Sequence, residues 1–291
     1  MRLDEVPGID APAQTVTVDR AVDGDGARPG APAARSTLRA VGLPTEHGGW
    51  GLTLEPVLLG LAVAPSLAGV LLGLAAALCL LVRSPVKVVL VDASRGRRLH
   101  RTRVATGLAA IELAAIGFLG LTALALADGP FWIPVLAAAP LVGVELWFDM
   151  RSRGRRLTPE LAGAVGIAGV VAAIVLADGG DGRLAAGLWV VLAARAVTSI
   201  PFVRGQIFRI RGRRSAAWPL ALADAAAVAT AAGAVVLDRS LVPGALAVLA
   251  VVVIQRVSAI PPPPRPVIIG LRQMALGLGV AAVAAIGVLG A

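Results

Sequence analysis

Four groups of residues in this chain have types and spacings suited to chemistry. The first lies in "LPTEHGGW" (43–50), directly before the apolar run "GLTLEPVLLGLAVAP". With a helix beginning near Thr45, His47, Gly51 and Glu55 are spaced i, i+4, i+8 and share a face. His47 and Glu55 then stand about 12 Å apart along the axis. Gly48, Gly49 and Gly51 clear that face for a ligand or a second backbone. A carboxylate and an imidazole at a cavity mouth can hold and exchange a proton. Helix entry accounts for part of the same stretch. Pro44 starts the helix, Glu46 suits its positive end, and Trp50 suits the interfacial belt. His47 and Glu55 are left as the pair with a functional meaning.

The second group is Glu145 and Asp149, again i, i+4. Two carboxylates on one face bind a cation, share a proton, or pair with neighbouring arginines. The third is Arg195, on one face with Thr198 and Ser199. It suits an anionic headgroup or phosphate, or a buried pair with Glu112 or Asp224. The fourth is Arg204 in "PFVRGQIFRIRGRR", where arginines alternate with Phe202, Ile207, Phe208 and Ile210. That pattern reads as a membrane-surface helix or as a topology signal. Ionisable residues inside a membrane are functional candidates by default. Glu55, Glu112, Glu145, Asp149, Arg195, Asp224 and Arg256 make up that set.

The elements that position these groups are set by hydropathy. The chain has 291 residues, 57% of them hydrophobic, and a mean hydropathy of +0.82. That composition excludes a soluble domain, and apolar runs near the ~20 residues of a spanning helix recur along most of it. The expected fold is all-α, a polytopic bundle of about nine transmembrane helices. Their expected positions are 48–64, 67–83, 104–127, 131–149, 159–177, 184–200, 217–237, 241–259 and 267–290. No segment alternates polar and apolar residues as a membrane barrel requires. Residues 1–40 lack an apolar block and read as a disordered cytoplasmic tail, with the bundle over 41–291. Cys79 is the only cysteine, so neither a disulfide nor a paired-cysteine metal site is available.

The formal charge of +9 comes from arginine clusters between apolar runs. Arg83 to Arg103, Arg151 to Arg156, Arg204 to Arg214 and Arg256 to Arg272 fill alternate links, while the others hold only Arg183 and Arg239. Basic loops stay in the cytoplasm, which places the N-terminus inside and the C-terminus outside. A topology signal also explains the charge without nucleic acid as a partner. "RGRR" occurs at 95–98, 153–156 and 211–214. This reads as arginine-rich loop composition, because the flanking residues do not repeat.

"LPTEHGGWGLTLEPVLLGL", "RSPVKVVLVDASRGRR", "ELWFDMRSRGRRLTPELAGA" and "SIPFVRGQIFRIRGRR" resemble the YwiC-like family of bacterial membrane proteins. The resemblance implies a multi-pass protein of the bacterial inner membrane and brings no settled activity or cofactor. The architecture is also weakly similar to UbiA-type intramembrane prenyltransferases, which hold magnesium and a diphosphate on two aspartate-rich motifs. Here the link after the second segment has only Asp92, and no acid lies between Arg195 and Asp224. A magnesium site of that type is not expected. The expectation is a cytoplasm-facing polar cavity that binds a lipid or isoprenoid-like amphiphile. Candidate cavity residues are Glu46, His47, Trp50, Glu55, Glu145, Asp149, Arg195 and Arg204. A small-molecule or proton-coupled transporter and an assembly scaffold for a membrane complex are the alternatives.

Overall fold

The computed structural model describes residues 48–97, 99–151, 156–213 and 218–291. The expected tail, and Glu46 and His47 with it, lie outside the described residues. The helices are α1 (Gly48–Val63), α2 (Leu67–Ser94), α3 (His100–Leu126), α4 (Trp132–Met150) and α5 (Leu157–Ala168). They continue as α6 (Val170–Ala177), α7 (Gly182–Ile210), α8 (Trp218–Leu237), α9 (Val242–Ser258) and α10 (Pro266–Leu289), with a 3-10 turn at Arg239–Leu241 before α9. No strand occurs among the described residues. Among the described residues, eight segments are long and apolar enough to cross a membrane, with α5 and α6 forming one of them and α1 a shorter apolar helix. The nine expected apolar segments therefore all appear as helices.

Two expectations change. The apolar runs ending at 83 and 200 do not end their helices. α2 runs on to Ser94 and α7 to Ile210, through Pro85 and Pro201. At 28 and 29 residues these helices are about 42 Å long, well beyond the ~30 Å hydrocarbon core. Residues 201–210 are thus the last turns of α7, and no separate surface helix forms there. The physical reason is that leaving the bilayer removes the hydropathy signal but not the helical hydrogen bonds. Both helices then stop at an Arg-Gly pair. Gly96 and Gly212 take the left-handed conformation at φ 63° and 68°. Arg97 N–H bonds Asp92 O and Arg213 N–H bonds Phe208 O, which closes the same Schellman turn at each end. Two of the three "RGRR" copies are therefore helix stops. Residues 152–155, most of the third, lie outside the described residues.

Contacts between elements sort the loops into two ends. Arg209 of α7 donates to Ala259 O and Pro261 O in the α9–α10 link. Arg204 of α7 pairs with Glu160 of α5 at 2.8 Å. At the opposite end, Arg183 donates to Leu237 O and Asp128 N–H to Ala177 O. The arginine-rich links share the first end.

α5, α6 and α7 form the centre. The Leu157–Ala177 and Gly182–Ile210 spans are 61% and 56% buried, against 11% for His100–Leu126. Leu59, Val171, Val175, Leu188, Val191, Leu241, Val248 and Val280 fill the main core, with many alanines between them. Lipid is as apolar as leucine, so association rests on close packing, which small side chains permit. The α5–α6 junction has an identifiable cause. Trp189 of α7 lies against Gly169, and its indole N–H donates to Val165 O at 2.7 Å. A side chain inserted into the helical ladder breaks it at that point.

Candidate functional site

Most polar residues of the bundle gather at the arginine-rich end. Asp92 there binds Arg101 and Thr102 between α2 and α3, and two larger clusters join further helices. One joins α2 to α4. Arg83 Nη1 lies 2.8 Å from Glu145 Oε1, and Arg83 Nε lies 3.2 Å from Asp149 Oδ2. Lys87 Nζ lies 2.9 Å from Asp149 Oδ1. Glu145 and Asp149 thus face two cations that share the i, i+4 spacing on α2. Asp149 has no exposed surface, while Lys87 and Arg83 reach solvent. The ion-pair alternative holds for these carboxylates, with Arg83 and Lys87 of α2 among their partners. Four opposite charges fix the ends of two helices at once.

The second cluster is a chain of contacts across five helices. Arg195 Nη2 of α7 lies 3.0 Å from Glu55 Oε1 of α1 and donates to Gln273 O of α10 at 2.6 Å. Gln273 Oε1 accepts from Gln255 Nε2 of α9 at 3.1 Å. Gln255 Nε2 also donates to Ser199 Oγ at 2.9 Å, and Gln255 Oε1 lies 3.0 Å from Thr198 Oγ1. Thr198 Oγ1 donates to Asp224 Oδ1 of α8 at 2.6 Å, and Asp224 pairs with Arg256. Glu55, Arg195, Thr198, Ser199, Asp224, Gln255 and Gln273 are all buried.

Arg195 forms a buried pair, but with Glu55 in place of the expected Glu112 or Asp224, and Asp224 is taken by Arg256. Separation in sequence does not rank such partners; helix packing does. A Cβ at Gly277 of α10 would collide with the Glu55 carboxylate and Arg195 Nη2, so that glycine makes room for the pair. Arg195 Nε and Glu55 Oε1 have no well-aligned hydrogen bond, although the charges are in contact. Such a pair costs desolvation that packing alone does not recover.

Trp50 is 38% exposed at the start of α1. Arg204 joins α7 to α5 through Glu160 and lies 5.7 Å from the Phe208 ring centroid. Glu112, halfway along α3, has one carboxylate oxygen buried without a hydrogen-bond partner.

A crevice of about 360 Å³ opens beside the second cluster. Its lining joins the polar Gln206, Gln255, Ser258, Arg272 and Gln273 to the apolar Phe202, Ile254, Ile269 and Leu276. Among the described residues, none of the sequence-selected candidates lines it. Glu55 and Arg195 stand behind it, through Gln273. A search confined to ionisable residues misses the three amides, yet the sequence carries a signal for them. It has no asparagine and four glutamines, and the three beyond residue 14 all line this crevice.

Residues 43–175 match the family model described as YwiC-like protein. Over this region, a little under half of its length, the chain is similar to the YwiC-like family. The YwiC-like region ends within α6. It contains Glu55 and the α2–α4 clamp, while Arg195 and the three crevice glutamines lie beyond it. No curated protein and no solved structure matches the chain.

Proposed function

We propose that this YwiC-like protein resides in a bacterial inner membrane with its arginine-rich end in the cytoplasm, and binds a lipid or isoprenoid-like amphiphile there. The observation that carries the reading is the crevice between α7, α9 and α10. Its lining combines amides and an arginine with apolar side chains, and all three helices contribute both kinds. Ile254 is 45% exposed on the outer flank of the bundle, where a tail would meet the acyl region. Ligand sites characteristically combine an apolar surface with a few convergent polar groups, in volumes of about 300–1,000 Å³.

The sequence-selected residues take supporting roles in this reading. Glu55 and Arg195 tie α1 to α7 and to the Gln273 backbone, which holds the inner wall in place. Glu145, Asp149 and Arg204 lock neighbouring helix ends. The Mg-binding acids of the prenyltransferases have no counterpart in this lining, so the reading is one of binding and makes no claim of prenyl transfer.

Native mass spectrometry of protein extracted in mild detergent tests it. An amphiphile retained by the natural chain should be lost from Ala275→Trp, which fills the lateral opening of the crevice. Retention unchanged in that variant would refute this location.

A further inference from the structure

Resting on that amphiphile reading, we propose that the crevice selects an anionic, phosphate-bearing headgroup through hydrogen-bond donors of Gln206, Arg272 and Gln273. One end of each amide is already committed. Gln206 Oε1 accepts from Arg209 Nη1 at 3.3 Å. A guanidinium only donates, so the Gln206 oxygen must face it and the NH2 group turns away. Gln273 Oε1 accepts from Gln255 Nε2, which leaves its own NH2 group as the uncommitted end. Gln206 is 3% and Gln273 9% exposed. Among the described residues neither NH2 group has a hydrogen-bond partner, and both side chains line the crevice. Two donors are therefore set toward the same space with nothing to receive them.

The charges point the same way. Asp224 is matched by Arg256 and Glu55 by Arg195. Arg209 is committed to two backbone carbonyls and to Gln206. Arg272 lines the crevice, and among the described residues no carboxylate lies within ion-pair distance of it. No aspartate or glutamate contributes to the wall. The site thus presents net positive charge and an excess of donors. A cationic head would meet like charge there, and a hydroxyl would accept at only one atom. A phosphate monoester offers three terminal oxygens, which suit a guanidinium fork and two amide N–H groups together. Arg272 is the seventh residue of α10, about 9 Å from the arginine-rich end of that helix. That depth matches a headgroup at the boundary of the acyl region, with Ile254 and Leu276 beside the tail.

The test is binding to purified protein in detergent, by titration calorimetry, of three probes with one tail: farnesyl phosphate, farnesol and farnesyl trimethylammonium. Inorganic phosphate is the fourth arm. Farnesyl phosphate should bind at least tenfold more tightly than farnesol. Arg272→Gln should remove most of that difference. Gln206→Glu keeps an acceptor for Arg209 but replaces the N–H donor by a carboxylate, and should also remove it. A thermal unfolding midpoint like that of the natural chain in both variants shows that the site is still folded. Equal affinity for farnesyl phosphate and farnesol, or preference for the ammonium, overturns the headgroup assignment and leaves the amphiphile reading standing. Inorganic phosphate binding as tightly as farnesyl phosphate upholds the donor wall and overturns the amphiphile reading. No binding of any probe overturns both.

Discussion

Gly277→Ala should destabilise the bundle by forcing apart the buried Glu55–Arg195 ion pair. The added methyl would occupy space held by the Glu55 carboxylate and Arg195 Nη2. Both side chains are almost fully buried, at 3% and 4% exposure, so neither has open space to move into. Overpacking of this kind costs about 1–3 kcal/mol. Alanine recovers about 0.5–1 kcal/mol over glycine in a helix. The expected net loss is about 1–2 kcal/mol. For a chain of this size that corresponds to a fall in Tm of roughly 2–8 °C. If the pair separates fully, the loss rises toward the ~3–5 kcal/mol of a broken buried ion pair. Gly279→Ala is the matched control, two residues along the same helix, where a Cβ meets nothing within 4 Å. It should leave Tm unchanged or raise it. Thermal unfolding in detergent, followed by circular dichroism, reads both variants. In a Glu55→Ala background the Gly277→Ala penalty should shrink, because the first atoms it strikes are gone. Equal shifts for Gly277→Ala and Gly279→Ala would refute the reasoning.

Asp149→Ala should lower stability by about 1–3 kcal/mol, since it leaves Lys87 and one arm of Arg83 without their carboxylate. Arg83→Ala, with the Lys87 bond intact, should cost less when the two are compared by Tm. Gly96→Ala and Gly212→Ala should each cost about 1–2 kcal/mol for a left-handed residue with a side chain, in similar amounts. A clear inequality in their thermal shifts would deny that the two Arg-Gly stops are equivalent. Reporter fusions near residues 97, 213 and 262 should read cytoplasmic, and those near 181 and 239 should not. A cytoplasmic signal at 181 would break the alternation.

Much of this architecture follows from residue order alone. Apolar length sets the number and position of the helices, because a bilayer leaves no alternative for a backbone whose polar groups must bond within each segment. Arginine placement anticipates which links share an end, and Arg209 and Arg204 then join those links directly. The i, i+4 spacing puts Glu145 beside Asp149. Partner choice is another matter. Arg195 takes Glu55, 140 positions away in the chain, because α1, α7 and α10 converge where Gly277 leaves space. The extensions of α2 and α7 past their apolar runs are held by helical hydrogen bonding that a hydropathy profile does not record. The crevice depends most on tertiary structure. Gln206, Gln255 and Gln273 are uncharged and isolated in three different helices, and each alone is an ordinary polar residue in an apolar helix. Only packing brings them to one crevice, and only the partners of their oxygens decide which way their donors face.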